Sequence, residues 1–187
     1  GLTPTSVVDT PEALHRQVTH MAQTYKGAPI FIEEFIEGQE FTVAIIGNEH
    51  PDVYPVCQIM LDGKMDLGRN FFHFAYLRSG SDYLCPALIP AATAKRMQEL
   101  ALRTYQAVEC RDFGRVDFRV DRRGHPSVLE INPLPSLSTE DVFNFIAKTR
   151  GITYYQIINR ILEAALARTG LASTNGAHLT SATTRSR

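Results

Sequence analysis

The stretch that decides the fold is residues 112–136, which read DFGRVDFRVDRRGHPSVLEINPLPS. Residues 113–120 and 127–131 are rich in β-branched and other apolar side chains, as is typical of strands. Between them, residues 121–124 combine aspartate and glycine with two arginines, a composition that favours a tight turn. The stretch therefore predicts a β-hairpin.

Four polar side chains share one face of this predicted hairpin. Since alternate residues of a strand point to the same side, Arg115 lies beside Asp117, and Glu130 lies beside Asn132. The turn can bring the two pairs together, and unpaired carboxylates are costly to bury in a core. Carboxylate and amide oxygens suit magnesium, while the arginine suits a phosphate or a developing oxyanion. On the pattern alone, an exposed face with cross-strand salt bridges explains these residues equally well.

Helices and further strands surround the hairpin along the chain. Helical spacing of apolar residues predicts helices that begin at Thr10 and end at Gly27, and over 91–109, 139–149 and 154–168, with Thr139 and Thr153 as caps of the last two. Strands are predicted over 30–35, 40–46 and 52–60, with turns at 37–39 and 47–48 that favour an antiparallel meander. The pattern indicates an α+β fold, an antiparallel sheet backed by helices.

Two segments lack a periodic pattern. Residues 61–84 contain no clear element, which predicts either a functional loop or disorder. Residues 169–187 are rich in Ser, Thr, Gly and Ala, and we expect a disordered tail. Residues 1–168 then form the domain, and because the chain starts at Gly1 in loop-like sequence, we expect it to be part of a longer polypeptide.

Composition excludes some classes of partner. The 187 residues carry a net charge of −1, so there is no basic field to bind nucleic acid or an anionic membrane. Apolar runs are only a few residues long, far shorter than a membrane span. Cys57, Cys85 and Cys110 are scattered and odd in number, which favours reduced thiols in a cytoplasmic protein over a disulfide framework or a zinc site.

Motifs in the chain resemble the D-alanine–D-alanine ligase branch of the ATP-grasp superfamily. They are IEEFIEGQEFTV at 32–43, YLCPA at 83–87, GRVDF at 114–118 and LEINP at 129–133. Their order and separation are more specific than any one motif, and the similarity runs from about Gly1 to Arg168. The resemblance implies an ATP-grasp fold and the carboxy-terminal portion of such an enzyme.

The resemblance also implies roles in metal binding and catalysis. Asp117, Glu130 and Asn132 would bind two magnesium ions, with Glu130 bridging them, and manganese could substitute. Arg115 would contact phosphate or the reaction intermediate. Tyr76 would act in catalysis from a mobile substrate loop.

Residues 32–43 resemble the family's hinge segment and the strand that follows it, and nucleotide binding would fall to this hinge segment and its neighbours. Their roles, as the resemblance implies them, are base recognition by backbone groups of Glu34 and Ile36 with Glu33 nearby, ribose binding by Glu40, and apolar contact with adenine by Phe35 and Leu129. The residue chemistry is compatible with these roles, because a hinge backbone supplies donors and acceptors for a base and a carboxylate accepts hydrogen bonds from hydroxyl groups well. Solvated acids at a strand end, and core packing for Phe35, remain alternatives.

The implied reaction is ATP-dependent ligation of a small carboxylate, such as an amino acid, to an amine through an acyl phosphate. A homodimer is compatible with this. A module that binds Mg–ATP without catalysis is the alternative. The family's phosphate-binding lysine would lie upstream of Gly1.

Three positions depart from the family pattern. Ala75 stands where a lysine is usual, with Arg69 or Arg78 as possible substitutes. Ser136 stands where a glycine is usual, and Asp141 falls near a substrate-contacting serine. An acid at 141 suits a cationic or amine-bearing partner, although a helix N-terminal acid explains it as well. The departures predict a substrate specificity different from that of D-alanine–D-alanine ligases.

Overall fold

One antiparallel sheet organises the protein in the computed structural model, which describes residues 2–73, 76 and 81–171. The strands described are β1 (Gly38–Ile46), β2 (Asp52–Val53), β3 (Cys57–Leu61), β4 (Ser81–Leu84), β5 (Phe113–Asp121) and β6 (Pro126–Asn132). The order across the sheet is β4-β3-β1-β5-β6, and β2 also pairs with β1. Every pairing is antiparallel.

Four α-helices accompany the sheet in the described residues: α1 (Pro11–Thr24), α2 (Ala91–Ala107), α3 (Val142–Arg150) and α4 (Tyr154–Thr169), preceded by a 3-10 turn at Pro4–Ser6. Thr10 and Thr153 cap α1 and α4 through their side chains, as the sequence predicts. Gly151 ends α3 in the left-handed conformation, where glycine has no steric penalty. None of these helices is long and apolar enough to cross a membrane.

Helices cover both faces of the sheet. On one face, Val43 and Val116 pack against Met97 and Tyr105 of α2. On the other, Ala44 and its neighbours pack against apolar residues of α3 and α4, namely Phe143, Ile146, Ile157 and Ile161. Because side chains alternate between two covered faces, residues 41–46 are buried at every position. The predicted α+β sheet backed by helices is confirmed.

The strand predicted over 30–35 is wrong. Residues 28–37 have no regular secondary structure, and the side chains of Phe31 and Ile32 are 78% and 66% exposed. β5 pairs along all of β1 on one side, and β2 and β3 pair with β1 on the other, so this segment does not take the place beside β1 that a meander requires. Gly38 and Gln39, expected in a turn, begin β1 instead.

Other boundaries also differ from prediction. The strand expected over 52–60 is two strands, because Pro55 lies between them and has no N–H for the ladder. Helix α4, which Thr153 caps, is as expected. Helix α3 begins at Val142 and is capped by Asp141, not by Thr139. Strand β4 lies at the end of the predicted loop 61–84.

The predicted tail falls almost entirely outside the described residues. Helix α4 runs to Thr169, and Gly170 follows it in the left-handed conformation. Residues 172–187 are not among those described. A domain of residues 1–168 with a disordered tail stays a prediction.

Candidate active site

The β5–β6 hairpin brings the four polar residues of the opening stretch together. Asp117 lies directly opposite Glu130, and Arg115 lies directly opposite Asn132. The register shifts beyond Asp117, because Phe118 pairs with Val128. The partners of the consecutive residues Asp117 and Phe118 are therefore two positions apart on β6, which is the geometry of a β-bulge.

The residue left over in this bulge is Leu129. Its side chain is 50% exposed, although it is a large apolar group. Because of the bulge, Glu130 and Asn132 lie on the same face as Asp117. The register of residues 126–128 with β5, if continued, would place them on the opposite face. The bulge thus places an open apolar side chain beside the acidic pair.

Asp117 is held by two neighbouring side chains. Arg115 donates to it through two parallel hydrogen bonds, Nε to Oδ1 at 2.9 Å and Nη2 to Oδ2 at 2.9 Å. Thr42, which is opposite Asp117 on β1, donates to Oδ1 at 2.6 Å. Burial by itself would lower the pKa of Arg115, but the charge of Asp117 raises it above its ordinary value. The arginine therefore stays charged, and the pair is preorganised.

Asp141 is the second carboxylate within reach of Arg115. Its Oδ1 is 3.6 Å from Nη1 of Arg115 and accepts hydrogen bonds from the N–H of Val142 at 2.6 Å and the hydroxyl of Tyr83 at 3.1 Å. Burial, together with the charge of Asp141, raises the pKa of Tyr83, so its hydroxyl stays protonated. Asp141 is thus a helix cap with an arginine and a tyrosine as partners. This agrees with the alternative that the acid at 141 serves the N-terminus of a helix.

Glu130 and Asn132 are more open. Glu130 is exposed, and its carboxylate has no hydrogen-bond or ion-pair partner among the described residues. Asn132 is partly buried, and its Oδ1 accepts a hydrogen bond from the N–H of Leu134 at 3.0 Å. An open carboxylate beside a fixed one is an arrangement that can accept a ligand.

The donor set fits magnesium. No group of three or more His, Cys, Asp or Glu side chains in the described part of the chain could hold a metal. The hairpin instead offers the carboxylates of Asp117 and Glu130 with the amide of Asn132. Magnesium usually takes one or two protein carboxylates and completes its shell with water and substrate phosphates. A nucleotide-bound ion therefore suits this site better than an ion held by protein alone.

Arg119 is a buried residue that the sequence analysis missed. It lies opposite Glu40, and the two side chains form an ion pair, Nη1 to Oε1 at 2.6 Å. Arg119 continues the alternation of Arg115 and Asp117 along β5, which was the signal available in the sequence. The same pair engages the hinge segment, because Arg119 Nε donates to the carbonyl of Ile36.

The predicted nucleotide residues lie along the hinge and the start of β1. Glu33 and Glu34 are exposed, and no hydrogen bond between described residues uses the Glu34 backbone. The Phe35 ring centroid is 4.6 Å from the Arg119 guanidinium carbon, so this ring packs on the ion pair. Glu40 is 5% exposed, with burial raising its pKa above the ordinary value of 4.5. Their roles toward ATP stay predictions.

Tyr76 packs against a neighbour in the loop after β3, with its ring centroid 4.7 Å from that of His73. It lines a small cavity of about 70 Å³ with other residues of the loop after β3, namely Arg69, Asn70, Phe71 and His73, and with Pro4. No hydrogen bond or ion pair between described residues joins Tyr76 to Arg115. Arg69 pairs with Asp9 at 2.5 Å and Glu37 at 3.4 Å. Ala75 and Arg78 lie outside the described residues.

Known proteins with similar sequences include D-alanine–D-alanine ligases. The chain is 33% identical over 163 residues to a D-alanine–D-alanine ligase of Desulforudis audaxviator, covering 87% of this chain and 51% of that protein. It is 36% identical over 151 residues to the uncharacterised protein y4sG of Sinorhizobium fredii, covering 80% of this chain and 45% of that protein. The chain thus spans about half the length of these relatives.

Solved structures agree on the fold. The D-alanine–D-alanine ligase of Bacillus anthracis, in complex with ATP, has a TM-score of 0.69 at 22% identity, covering 89% of this chain and 50% of that one. The VanG D-Ala:D-Ser ligase of Enterococcus faecalis has a TM-score of 0.56 at 27% identity, covering 71% and 37%. The family model described as the D-ala D-ala ligase C-terminus matches residues 5–163. The chain therefore belongs to the D-alanine–D-alanine ligase C-terminal family and has the ATP-grasp fold.

Proposed function

We propose that this chain is the magnesium- and nucleotide-binding portion of an ATP-dependent carboxylate–amine ligase, which forms an amide or peptide bond through an acyl phosphate. The observation that carries the proposal is the direct opposition of Asp117 to Glu130 and of Arg115 to Asn132 on one sheet face. Membership of the ligase family supports the reaction class.

Asp117, Glu130 and Asn132 are the proposed ligands of magnesium. The bound ion supplies charge neutralisation for the phosphates during transfer. Two ions bridged by Glu130, or manganese in their place, are part of the proposal. Arg115 adds a fixed positive charge to the same face, 2.9 Å from the carboxylate of Asp117 at each of two atoms.

The adenosine half of ATP is assigned to the hinge and its neighbours: Glu33, Glu34, Phe35, Ile36, Glu40 and Leu129. The Glu34 backbone, which makes no hydrogen bond to a described residue, and the open side chain of Leu129 in the bulge support this assignment. Glu40 already bonds to Arg119 and to the N–H of Phe72 at 2.9 Å. Since a carboxylate has about four lone-pair sites, two remain for ribose hydroxyls.

The proposed substrates are a small carboxylic acid and an amine, with amino acids as the preferred class. Asp141 has structural partners, so it does not by itself assign a cationic amine to the site. Ser136, in place of the usual glycine, supports a specificity that differs from D-alanyl-D-alanine synthesis. Tyr76 as a catalytic residue, a cytoplasmic location, a homodimer and the absence of nucleic-acid and membrane partners are further parts of the proposal.

Phosphate release tests the proposed reaction. The full-length protein that carries this chain is incubated with Mg–ATP and panels of amino acids and other small acids and amines. Release of phosphate should require both an acid and an amine. Glu130→Gln should lower the rate at least about 100-fold, because a bridging charge is lost. The matched control is Glu163→Gln on the exposed side of α4, and it should not change the rate.

Two outcomes decide between the candidates. Unchanged turnover in Glu130→Gln contradicts the ligase proposal. Magnesium-dependent ATP binding without phosphate release, for any acid–amine pair, favours the non-catalytic Mg–ATP module that Ser136 and Ala75 suggest.

A further inference from the structure

A buried ion pair joins the sheet to two irregular segments, the hinge of the proposed adenosine site and the loop after β3. Arg119 is 3% exposed and Glu40 is 5% exposed. Besides its bond to Glu40, Arg119 donates to the carbonyl of Ile36 and, through Nη2, to the carbonyls of Gly68 at 2.7 Å and Asn70 at 2.9 Å. A single guanidinium therefore binds three carbonyls from two segments that have no regular secondary structure.

Glu40 completes the connection from the other side. Its Oε2 accepts a hydrogen bond from the N–H of Phe72 at 2.9 Å, while Oε1 receives Arg119. The ring of Phe35 covers the guanidinium and meets the ring of Phe71, with centroids 6.2 Å apart. The hinge segment 33–37 and the loop segment 68–72 are thus fixed to the sheet through the same two side chains.

Stability alone does not explain this ion pair. Buried ion pairs usually contribute little compared with apolar residues of similar volume, because desolvating two charges is costly. What a fully bonded guanidinium does provide is direction, since its donors lie in one plane at fixed angles. Each bonded carbonyl is therefore held at a defined orientation.

We propose that Arg119 is a positioning residue for adenine recognition: it sets the backbone of the hinge at 33–37 and, through Glu40 and the 68–72 loop, the walls of the adenosine site. Arg119 contacts no nucleotide atom in this role. The proposal rests on the proposed function, because it concerns the same nucleotide site. The triphosphate would be bound at the separate hairpin residues Asp117, Glu130 and Asn132.

Calorimetry with three ligands separates the two halves of the site. Wild-type chain, Arg119→Lys, Arg119→Met and the control Arg103→Met, an exposed position on α2, are titrated with Mg–ATP, Mg–GTP and Mg–tripolyphosphate. Arg119→Met should weaken ATP binding at least about tenfold, since bonds to a charged donor are lost. The affinity of Arg119→Met for tripolyphosphate should stay within about twofold of the wild-type affinity, because the hairpin residues that bind phosphate are unchanged.

The preference for ATP over GTP, and its value in the conservative variant Arg119→Lys, are two measurements that should not change if Arg119 only stabilises the fold. The preference of the wild type for ATP over GTP should fall in Arg119→Met, because the hinge no longer presents one fixed set of donors and acceptors. Arg119→Lys keeps the charge and part of the bonding, so it should retain an intermediate preference and serves as the test if the methionine variant does not fold. Thermal unfolding establishes that each titrated variant is folded.

Equal weakening of ATP and tripolyphosphate, or unchanged ATP affinity and selectivity in both Arg119 variants, would overturn the inference. A wild-type chain that binds ATP no better than tripolyphosphate overturns it as well, while leaving magnesium–phosphate binding at the hairpin intact. A wild-type chain that binds neither ligand contradicts the proposed function and this inference with it.

Discussion

Asp117 accepts three hydrogen bonds from two side chains, and these fix how its carboxylate faces the sheet. Both of its oxygens are bonded to Arg115, so a cation that binds Asp117 competes with the guanidinium. Asp141, whose Oδ1 is 3.6 Å from Nη1 of Arg115, offers a second carboxylate to the displaced arginine. Metal binding at Asp117, as proposed, would therefore be coupled to the position of Arg115.

Replacing Arg115 by methionine should expose this competition. The side chains of Arg115 and Asp117 are 11% and 14% exposed, so loss of the arginine leaves a largely buried carboxylate unpaired and lowers stability by about 1–3 kcal/mol. Magnesium then meets no competitor at Asp117. We expect the variant to melt lower than wild type without magnesium, and the stabilisation by magnesium to be larger in the variant. Thermal unfolding in the presence of ATP, with magnesium or with EDTA, measures both effects, and equal magnesium shifts in the two proteins would contradict the competition.

Alternation along each strand predicted that Arg115 shares a face with Asp117 and that Glu130 shares a face with Asn132. The two pairs meet because the bulge at Leu129 shifts the register between β5 and β6, and the alternation does not predict that shift. The bonds of Arg119 could not be predicted, because its carbonyl partners lie in irregular segments far away in the chain. Local periodicity carries no information about such contacts.

At the scale of elements, the start of β1 depends on Gly38. A Cβ at this position would lie 2.0 Å from the carbonyl oxygen of Val120, and the residue has a φ of +154°. The clash is with the backbone of β5, which cannot yield without breaking the strand pairing. Gly38 directly follows the hinge, so close approach of β1 to β5 also fixes where the hinge ends.

Gly38→Ala should therefore destabilise the protein strongly, by about 3 kcal/mol or more, as expected when overpacking adds to an unfavourable φ. Gly63→Ala is the matched control, because Gly63 has a φ of +73° but no atom within 4 Å of a Cβ, so only the conformational cost of about 1–2 kcal/mol applies. Urea unfolding of the two variants compares them. Equal losses of stability would show that the contact with Val120 is unimportant.

Helix α4 is attached to the sheet by Asp112, and this attachment should depend on pH. Arg168 donates to both oxygens of Asp112 at 2.8 and 2.6 Å, and these bonds chiefly lower the pKa of Asp112 below its ordinary value of 3.8. A carboxyl with a lowered folded-state pKa contributes stability above its unfolded pKa and loses that contribution as the pH falls through the folded pKa.

Asp112→Asn should thus be less stable than wild type at pH 7, and the difference should shrink once the pH falls below 3.8. Asparagine tolerates the left-handed backbone of this position, where φ is 67°, so the change tests the charge. Urea unfolding at a series of pH values measures the difference. A gap between the two proteins that is the same at pH 7 and in acid would contradict the assignment.

Helices that have their own capping residues and apolar periodicity were predicted well. Features that depend on pairing with another strand were not. Helix α4 follows from Thr153 and a regular apolar face. The apolar run at 30–35 has strand composition, yet β2, β3 and β5 take the places beside β1 where a meander would put it. The bulge at Leu129 depends on how β6 meets β5, so it too lies beyond a single-strand pattern.

At the scale of the whole molecule, two apolar clusters on opposite faces make the sheet a rigid support. The polar residues of β5 and β6, the Arg119–Glu40 pair and the hinge all lie on or beside the same three strands, β1, β5 and β6. The chain spans about half the length of its curated relatives and belongs to the carboxy-terminal family of these ligases. A magnesium–nucleotide site is the property that this portion should show by itself.

Calorimetric titration of the chain with ATP tests that central claim most directly. Wild type should bind ATP in the presence of magnesium and lose at least about 90% of its affinity when EDTA replaces the metal, a change of about 1.4 kcal/mol or more. Asp117→Asn and Glu130→Gln should each bind Mg–ATP at least about tenfold more weakly, whereas Glu163→Gln should match wild type. Mg–ATP binding that is unchanged in both hairpin variants, or ATP affinity that is the same with EDTA, would contradict the assignment of the β5–β6 hairpin as the magnesium–nucleotide site.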